Sequence, residues 1–168
     1  MNYLAYGSNL HPARLRARTP SARLLSIAAL PGWRLAFHKR SRDGSSKCNI
    51  VHSGRPTDMV YGALYRLTRN EKFLLDRYEG LGSGYHEMKL SLPGHGDVFF
   101  YSADQAYIDE SLKPYDWYKR LVLLGAAYHD FPASYIIGIE AVTAVADPDR
   151  ARQRENLGIL PDIVNSPL

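Results

Sequence analysis

The stretch with the clearest chemical potential opens the chain. A short apolar run, Tyr3-Leu4-Ala5-Tyr6, stops at Gly7-Ser8-Asn9-Leu10; the run reads as a buried strand and Gly-Ser-Asn as a tight turn. His11-Pro12 follows, with Pro12 suited to the first position of a helix. Strand, glycine turn and helix start in that order present unpaired backbone N–H groups to a ligand oxygen. By itself such a turn is an ordinary connector, so its meaning depends on what stands beside it.

Other constellations fail on spacing. Ser8 and Ser83 do not sit in a Gly-x-Ser-x-Gly elbow, because the outer positions around Ser83 are Leu81 and Tyr85. Residues 80–84 are glycine-rich but lack the Lys-Ser/Thr ending of a phosphate loop. His11, His38, His52, His86, His95 and His129 show no metal-ligand spacing. Cys48, the single cysteine, has no Cys-x-x-Cys partner and cannot form an internal disulfide.

The elements that must position the turn read as follows. Residues 12–18 form a short helix, and residues 21–30 and 33–38 are strands separated by Pro31-Gly32. Residues 40–47 are polar and charged and read as a mobile loop, with a strand at 48–52 beyond it. Residues 59–67 are apolar on both faces, which predicts a central strand. Thr68-Arg69-Asn70-Glu71 is a capping box opening a helix over 69–78, with Leu74 and Tyr78 on one side and Gly80 as its left-handed stop. Residues 88–92 and 98–102 make a hairpin. A helix over 115–129 follows, with Trp117, Leu121, Leu124 and Tyr128 at core-facing spacing. Pro132 opens another helix to about Val142, and Asp147-Pro148 caps a short basic third. Strands first and helices last predict an α+β fold, a largely antiparallel sheet with flanking helices.

At 168 residues and 45% hydrophobic, the chain fits one globular domain over 1–168, with a tail from about 147 expected to be mobile. No apolar run approaches the ~20 residues of a membrane span. The first residues lack the charged region of a signal peptide, so a soluble cytoplasmic protein is expected. The net charge is +4. Basic residues cluster at Arg14, Arg16 and Arg18, at Lys39, Arg40 and Arg42, and at Arg150, Arg152 and Arg154. With no nucleic-acid module in the sequence, these read as solvated faces or small-anion sites, and no nucleic-acid or membrane partner is expected.

Three segments together carry a resemblance. Tyr6-Gly7-Ser8-Asn9-Leu10, Tyr78-Glu79-Gly80-Leu81 and Pro114-Tyr115-Asp116-Trp117-Tyr118-Lys119 are similar to segments of the γ-glutamylcyclotransferase family, spanning residue 3 to about 141. The resemblance implies a small closed or nearly closed barrel with helices outside, and allows a homodimer. It also implies a reaction: the α-amino group of a γ-glutamyl compound attacks its own γ-carbonyl, giving 5-oxoproline and a free amine. Nucleophile and electrophile share one molecule, so positioning dominates and neither metal nor cofactor is needed.

That reaction sets two tasks. The α-ammonium must lose a proton and the leaving nitrogen must gain one, which the resemblance gives to Glu79 as general acid/base. At the negative end of a helix dipole, with Tyr78 and Leu81 as apolar neighbours, Glu79 is expected to favour its protonated form. The turn's N–H groups, from Gly7, Ser8, Asn9 and Leu10, would hold the substrate carboxylate or the oxyanion. Tyr6 and Tyr118 are placed beside them by the resemblance, as a wall and a hydroxyl donor. A specialised γ-glutamyl substrate, or a non-catalytic protein binding such a ligand, would use the same residues. Residues 40–47 and 82–86 are expected to edge the pocket, where Arg40, Arg42 and Lys47 would suit a carboxylate-bearing leaving group.

Overall fold

The computed structural model describes residues 1–159. In chain order the elements are β1 (Asn2–Ala5), α1 (Pro12–Arg16), β2 (Arg23–Pro31), β3 (Trp33–Arg40), β4 (Ser46–His52), β5 (Met59–Arg66), α2 (Arg69–Glu79), β6 (Tyr85–Leu92), β7 (Gly96–Ala103), a 3₁₀ turn at Gln105–Tyr107, α3 (Asp116–Tyr128), α4 (Ala133–Glu140) and α5 (Arg150–Leu157). Five strands form a sheet in the order β2-β5-β1-β7-β6, and β3 and β4 form a separate ribbon.

The strand apolar on both faces does lie inside the sheet. β5 pairs antiparallel with β2 on one side and with β1 on the other, Tyr65 opposite Tyr3. β1 also pairs with β7 in parallel, Tyr3 opposite Phe99, so the strand leading into the glycine turn is central. Gly62 on β5 permits that close packing: a Cβ there would fall 2.8 Å from the Ala5 carbonyl oxygen. The ribbon packs on the sheet through β3 against β5 and β4 against β7. Side chains tie it there. Tyr85 donates its hydroxyl proton to the Cys48 carbonyl at 2.7 Å, and Asn49 Oδ1 accepts the Ala103 N–H at 2.9 Å. The fold is α+β, with a mixed, largely antiparallel sheet and flanking helices.

Helix α2 has the expected capping box, and Gly80 ends it at φ 68°. The side that carries Leu74 and Tyr78 is not its buried face. Leu75 is fully buried, whereas Leu74 and Tyr78 are exposed. The reason is Glu71, whose carboxylate turns inward to accept the Ser21 N–H and hydroxyl, both at 2.6 Å, and so sets the helix rotation. On α3, Trp117 and Leu121 are buried as the spacing predicts, but Tyr128 is exposed, and the helix leans on the turn after β1 through Tyr118 and Gly125 instead. A Cβ on Gly125 would stand 2.4 Å from Leu10 Cβ.

The expected loop over 40–47 shrinks to five residues, 41–45, between β3 and β4. It is pinned by the Ser41 N–H to the Ser45 carbonyl, the Ser46 N–H to the Lys113 carbonyl and the Tyr115 hydroxyl to the Asp43 carbonyl. After residue 147 the chain continues into α5. Asp147 is buried and accepts from Trp117 Nε1 at 2.7 Å and Arg152 Nε at 2.8 Å, and the guanidinium holds its carboxyl well below the usual range. The rest of the expected tail, residues 160–168, lies outside the described residues. No helix among the described residues is long and apolar enough to cross a membrane.

Candidate active site

β1 ends at the sheet's centre, and residues 7–9 turn sharply before His11 caps α1 through Nδ1. The turn's own bond runs from the Leu10 N–H to the Gly7 carbonyl at 3.0 Å. Leu10 is fully buried, and its carbonyl accepts from the Tyr65 hydroxyl at 2.7 Å and from His129 Nε2 at 2.8 Å. Burial lowers the proton affinity of His129, which suits a neutral donor there. Leu10 therefore anchors the turn from behind, and its N–H is not offered to a ligand. Gly7, Ser8 and Asn9 line a small cavity of about 30 Å³.

Glu79 enters that cavity from the C-terminal end of α2. Its Oε1 accepts from Asn9 Nδ2 at 2.9 Å and from Arg18 Nη1 at 2.9 Å. The same two partners bond each other, Arg18 Nη1 to Asn9 Oδ1 at 3.0 Å, and Asn9 Nδ2 also reaches the Tyr3 hydroxyl at 3.1 Å. Both donors converge on one carboxylate oxygen. Among the described residues, no protein hydrogen bond reaches Oε2. The apolar setting expected for this carboxyl is absent: Tyr78 and Leu81 are exposed, while a guanidinium and an amide stand against it. Arg18 stacks over the Tyr78 ring, 5.3 Å from its centre.

Tyrosines make most of the remaining wall. Tyr118 is buried; its oxygen accepts the Cys48 N–H at 3.0 Å and would lie 3.4 Å from a Cβ on Gly7. The same Cβ would stand 3.2 Å from Cys48 Cβ, so Gly7 serves close packing against β4. Burial pushes the Tyr118 and Tyr85 hydroxyls well above their ordinary range, so both remain proton donors. The Cys48 thiol is pushed up to about 12 by burial. Tyr6 donates to the Tyr101 carbonyl, and Tyr101 donates to Asp76 at 2.6 Å.

Glu79 also borders a second, open cleft of about 690 Å³, lined by Lys39, Arg40, Arg42, Phe73, Leu81 and Tyr107 among others. One carboxylate thus stands between a buried polar pocket and a cationic cleft.

Comparison with known proteins places this architecture. The family model described as "Gamma-glutamyl cyclotransferase, AIG2-like" matches residues 3–120, from β1 through the first turn of α3. The chain belongs to this family. Among relatives, Gamma-glutamylcyclotransferase of Bos taurus is 30% identical over 142 residues, covering 79% of this chain and 73% of the relative. Gamma-glutamylcyclotransferase of Homo sapiens is 28% identical over 149 residues, covering 83% and 77%. A solved structure titled "Gamma-glutamyl cyclotransferase" superposes with a TM-score of 0.79 at 24% identity over 94% of this chain and 98% of that one, a likeness of fold.

Within this γ-glutamyl cyclotransferase family member, the fold brings Tyr6, Gly7, Ser8, Asn9, Tyr118 and Glu79 to one cavity and leaves Leu10 behind it. Sequence reasoning missed Arg18, which belonged to a basic cluster read as a solvated face or anion site. It also missed Tyr3, Tyr85 and Tyr101, whose only signal was strand alternation in a chain with 12 tyrosines. Cys48, read as a small strand residue, lines the cavity. The three cationic residues assigned to the pocket edge separate. Arg40 and Arg42 line the open cleft, but Lys47 turns away to Asp43 at 2.7 Å and the rings of Trp117 and Tyr118. That partner was not visible from spacing alone.

Proposed function

We propose that the chain cyclises γ-glutamyl compounds to 5-oxoproline with release of the free amine, using Glu79 as the general acid/base. The observation that carries this reading is the Glu79 carboxylate, held by Asn9 and Arg18 through Oε1 in the cavity that Gly7, Ser8 and Asn9 line.

The mechanism follows from which atoms are engaged. With Oε1 fixed, Oε2 takes a proton from the substrate's α-ammonium, and the freed amine attacks the γ-carbonyl of the same molecule. The C–N bond of a five-membered ring forms and the carbonyl oxygen becomes an oxyanion. N–H groups of Gly7, Ser8 and Asn9 and the Tyr118 hydroxyl stabilise the charge; preorganised donors of this kind are worth about 3 kcal/mol each. Collapse of the intermediate breaks the bond to the leaving nitrogen, which receives the proton held by Glu79; the freed carboxylate takes the second proton from the ring nitrogen, giving the neutral lactam, and passes it to the departing amine, which leaves as an ammonium. Tyr6, bonded to the Tyr101 carbonyl, serves as wall. The reading takes the protein as cytoplasmic and active with the residues of one chain; a homodimer is compatible with it.

Purified protein and a Glu79→Gln variant are incubated with γ-glutamyl amino acids and γ-glutamyl amines, and 5-oxoproline is followed by mass spectrometry. Wild-type turnover with a loss of about 10³- to 10⁴-fold in the variant is expected. An active Gln variant sinks the role of Glu79. Ligand binding without product favours a non-catalytic protein of the same fold.

A further inference from the structure

Lys39 is a buried cation with no carboxylate in ion-pair contact among the described residues. It lies near the end of β3, 8% exposed, with Nζ 4.5 Å from the centre of the Tyr85 ring and 5.7 Å from that of Tyr107. Gly84 closes the cage: a Cβ there would stand 3.0 Å from Nζ. Lys47 and Lys72 are also set against aromatic rings, and each has a carboxylate as well. Lys47 pairs with Asp43 at 2.7 Å, and Lys72 with Asp76 at 2.7 Å and Glu87 at 2.6 Å. Among the described residues no ion pair reaches Lys39. Ring faces only partly offset the loss of water around an ammonium, so this position is incomplete as it stands.

Its place in the molecule says what would complete it. Lys39 and Glu79 line the same cleft, and the ring of Tyr85 belongs both to the Lys39 cage and to the inner cavity. On the reading above, on which this inference rests, the turn and Glu79 hold the glutamyl half. The leaving amine then extends past Glu79 into the cleft where Lys39 stands. We propose that Lys39 is a specificity-determining residue that pairs with a carboxylate on the leaving group, so that γ-glutamyl α-amino acids are favoured over neutral γ-glutamyl amides and amines of the same shape. A charge-assisted hydrogen bond made at a caged, mostly desolvated ammonium is stronger than one made in water. Arg40, whose guanidinium stacks 5.6 Å from the Tyr107 ring centre, keeps the cage wall in place and adds to the positive field.

The test compares γ-glutamylalanine with γ-glutamylalaninamide, which differ only in that carboxylate, using wild type, Lys39→Met and Lys39→Arg. Wild type is expected to favour the acid by about 10- to 100-fold in kcat/KM, and Lys39→Met to lose that preference chiefly through KM while changing the amide by less than about 3-fold. Lys39→Arg should retain part of the preference. Equal use of both substrates by wild type overturns the role of Lys39, and this comparison needs no variant to fold. So does an equal fall for both substrates in Lys39→Met, the pattern expected if Lys39 held the glutamyl carboxylate. Absence of 5-oxoproline from either substrate overturns the cyclotransferase reading together with it, whereas turnover without discrimination removes only the role of Lys39.

Discussion

The two cavities that meet at Glu79 are built on opposite plans. The inner one draws on β1, the turn after it, β4, α2, β6, β7 and α3, and most of its side-chain polar groups are held by another part of the protein. Tyr85 and Tyr118 grip the two backbone groups of Cys48, and Asn9 links Tyr3, Arg18 and Glu79. The outer cleft comes from the end of β3, the turn after it, the end of α2 and a 3₁₀ turn, and it exposes Phe73 and Tyr78 at 65% and 59%. On the proposed reading, the reacting centre is distributed over the whole sheet, whereas discrimination of a leaving group falls to a few local side chains. Changes inside should therefore alter rate, and changes outside should alter choice.

After Glu79→Gln, the largest expected effect of this kind is at Arg18. Its guanidinium binds Glu79 Oε1 and Asn9 Oδ1 and not Oε2, so on the proposed mechanism it is a positioning residue. Arg18→Met should lower kcat about 10- to 100-fold with a smaller change in KM, because the carboxylate then samples unproductive orientations. Arg18→Lys should recover part of the loss at an unchanged melting temperature. If kcat held in Arg18→Met and only substrate choice moved, the division between the two cavities would fail at its junction.

Gly125 tests whether the inner plan depends on distant packing. An added methyl on α3 meets Leu10 Cβ at 2.4 Å and the His11 nitrogen at 2.9 Å, both backed by fully packed neighbours. Gly125→Ala should destabilise the protein by about 1–3 kcal/mol, as overpacking does, seen as a lower denaturant midpoint at constant slope. It should also reduce turnover of every substrate alike, because the turn after β1 shifts as one unit.

The same division explains what was legible in the sequence. Strand, glycine turn and Pro12 are local signals, and so are the Thr68 capping box and Gly80; the fold forms all of them as read. Faces of helices were less legible. Spacing grouped Leu74 and Tyr78 on one side of α2 without saying which side is buried, and placed Tyr128 of α3 toward the core; Glu71 and Gly125 instead make the close contacts with residues far away in sequence. The loop after β3 read as mobile because its composition is polar, yet those polar groups bond one another and Tyr115, which composition cannot reveal. Arg18 was illegible for a similar reason. A basic cluster has no internal signal of which member turns inward, and here Arg14 is buried, Arg16 bonds the Ala22 carbonyl and Arg18 reaches Glu79.

The smallest expected effect separates two kinds of charge within the outer cleft. Arg42 is exposed and has no ion pair among the described residues, so it acts on a ligand through solvent. Lys39 acts from within its ring cage, where burial lowers its proton affinity despite the opposing charges of Glu79, Asp43 and Asp104. Arg42→Glu should reduce the preference for γ-glutamylalanine over its amide by about 2- to 5-fold at low salt, and high salt should erase that difference, as expected for charges separated by water. The larger preference assigned to Lys39 should survive the same salt better, because a direct, partly buried pair is screened less than charges separated by water. It should instead fall as pH rises, and at a lower pH than for a free lysine, since the ammonium there gives up its proton more readily. Were both preferences to vanish together with salt, the cleft would be a diffuse positive field, and leaving-group choice would belong to no single residue.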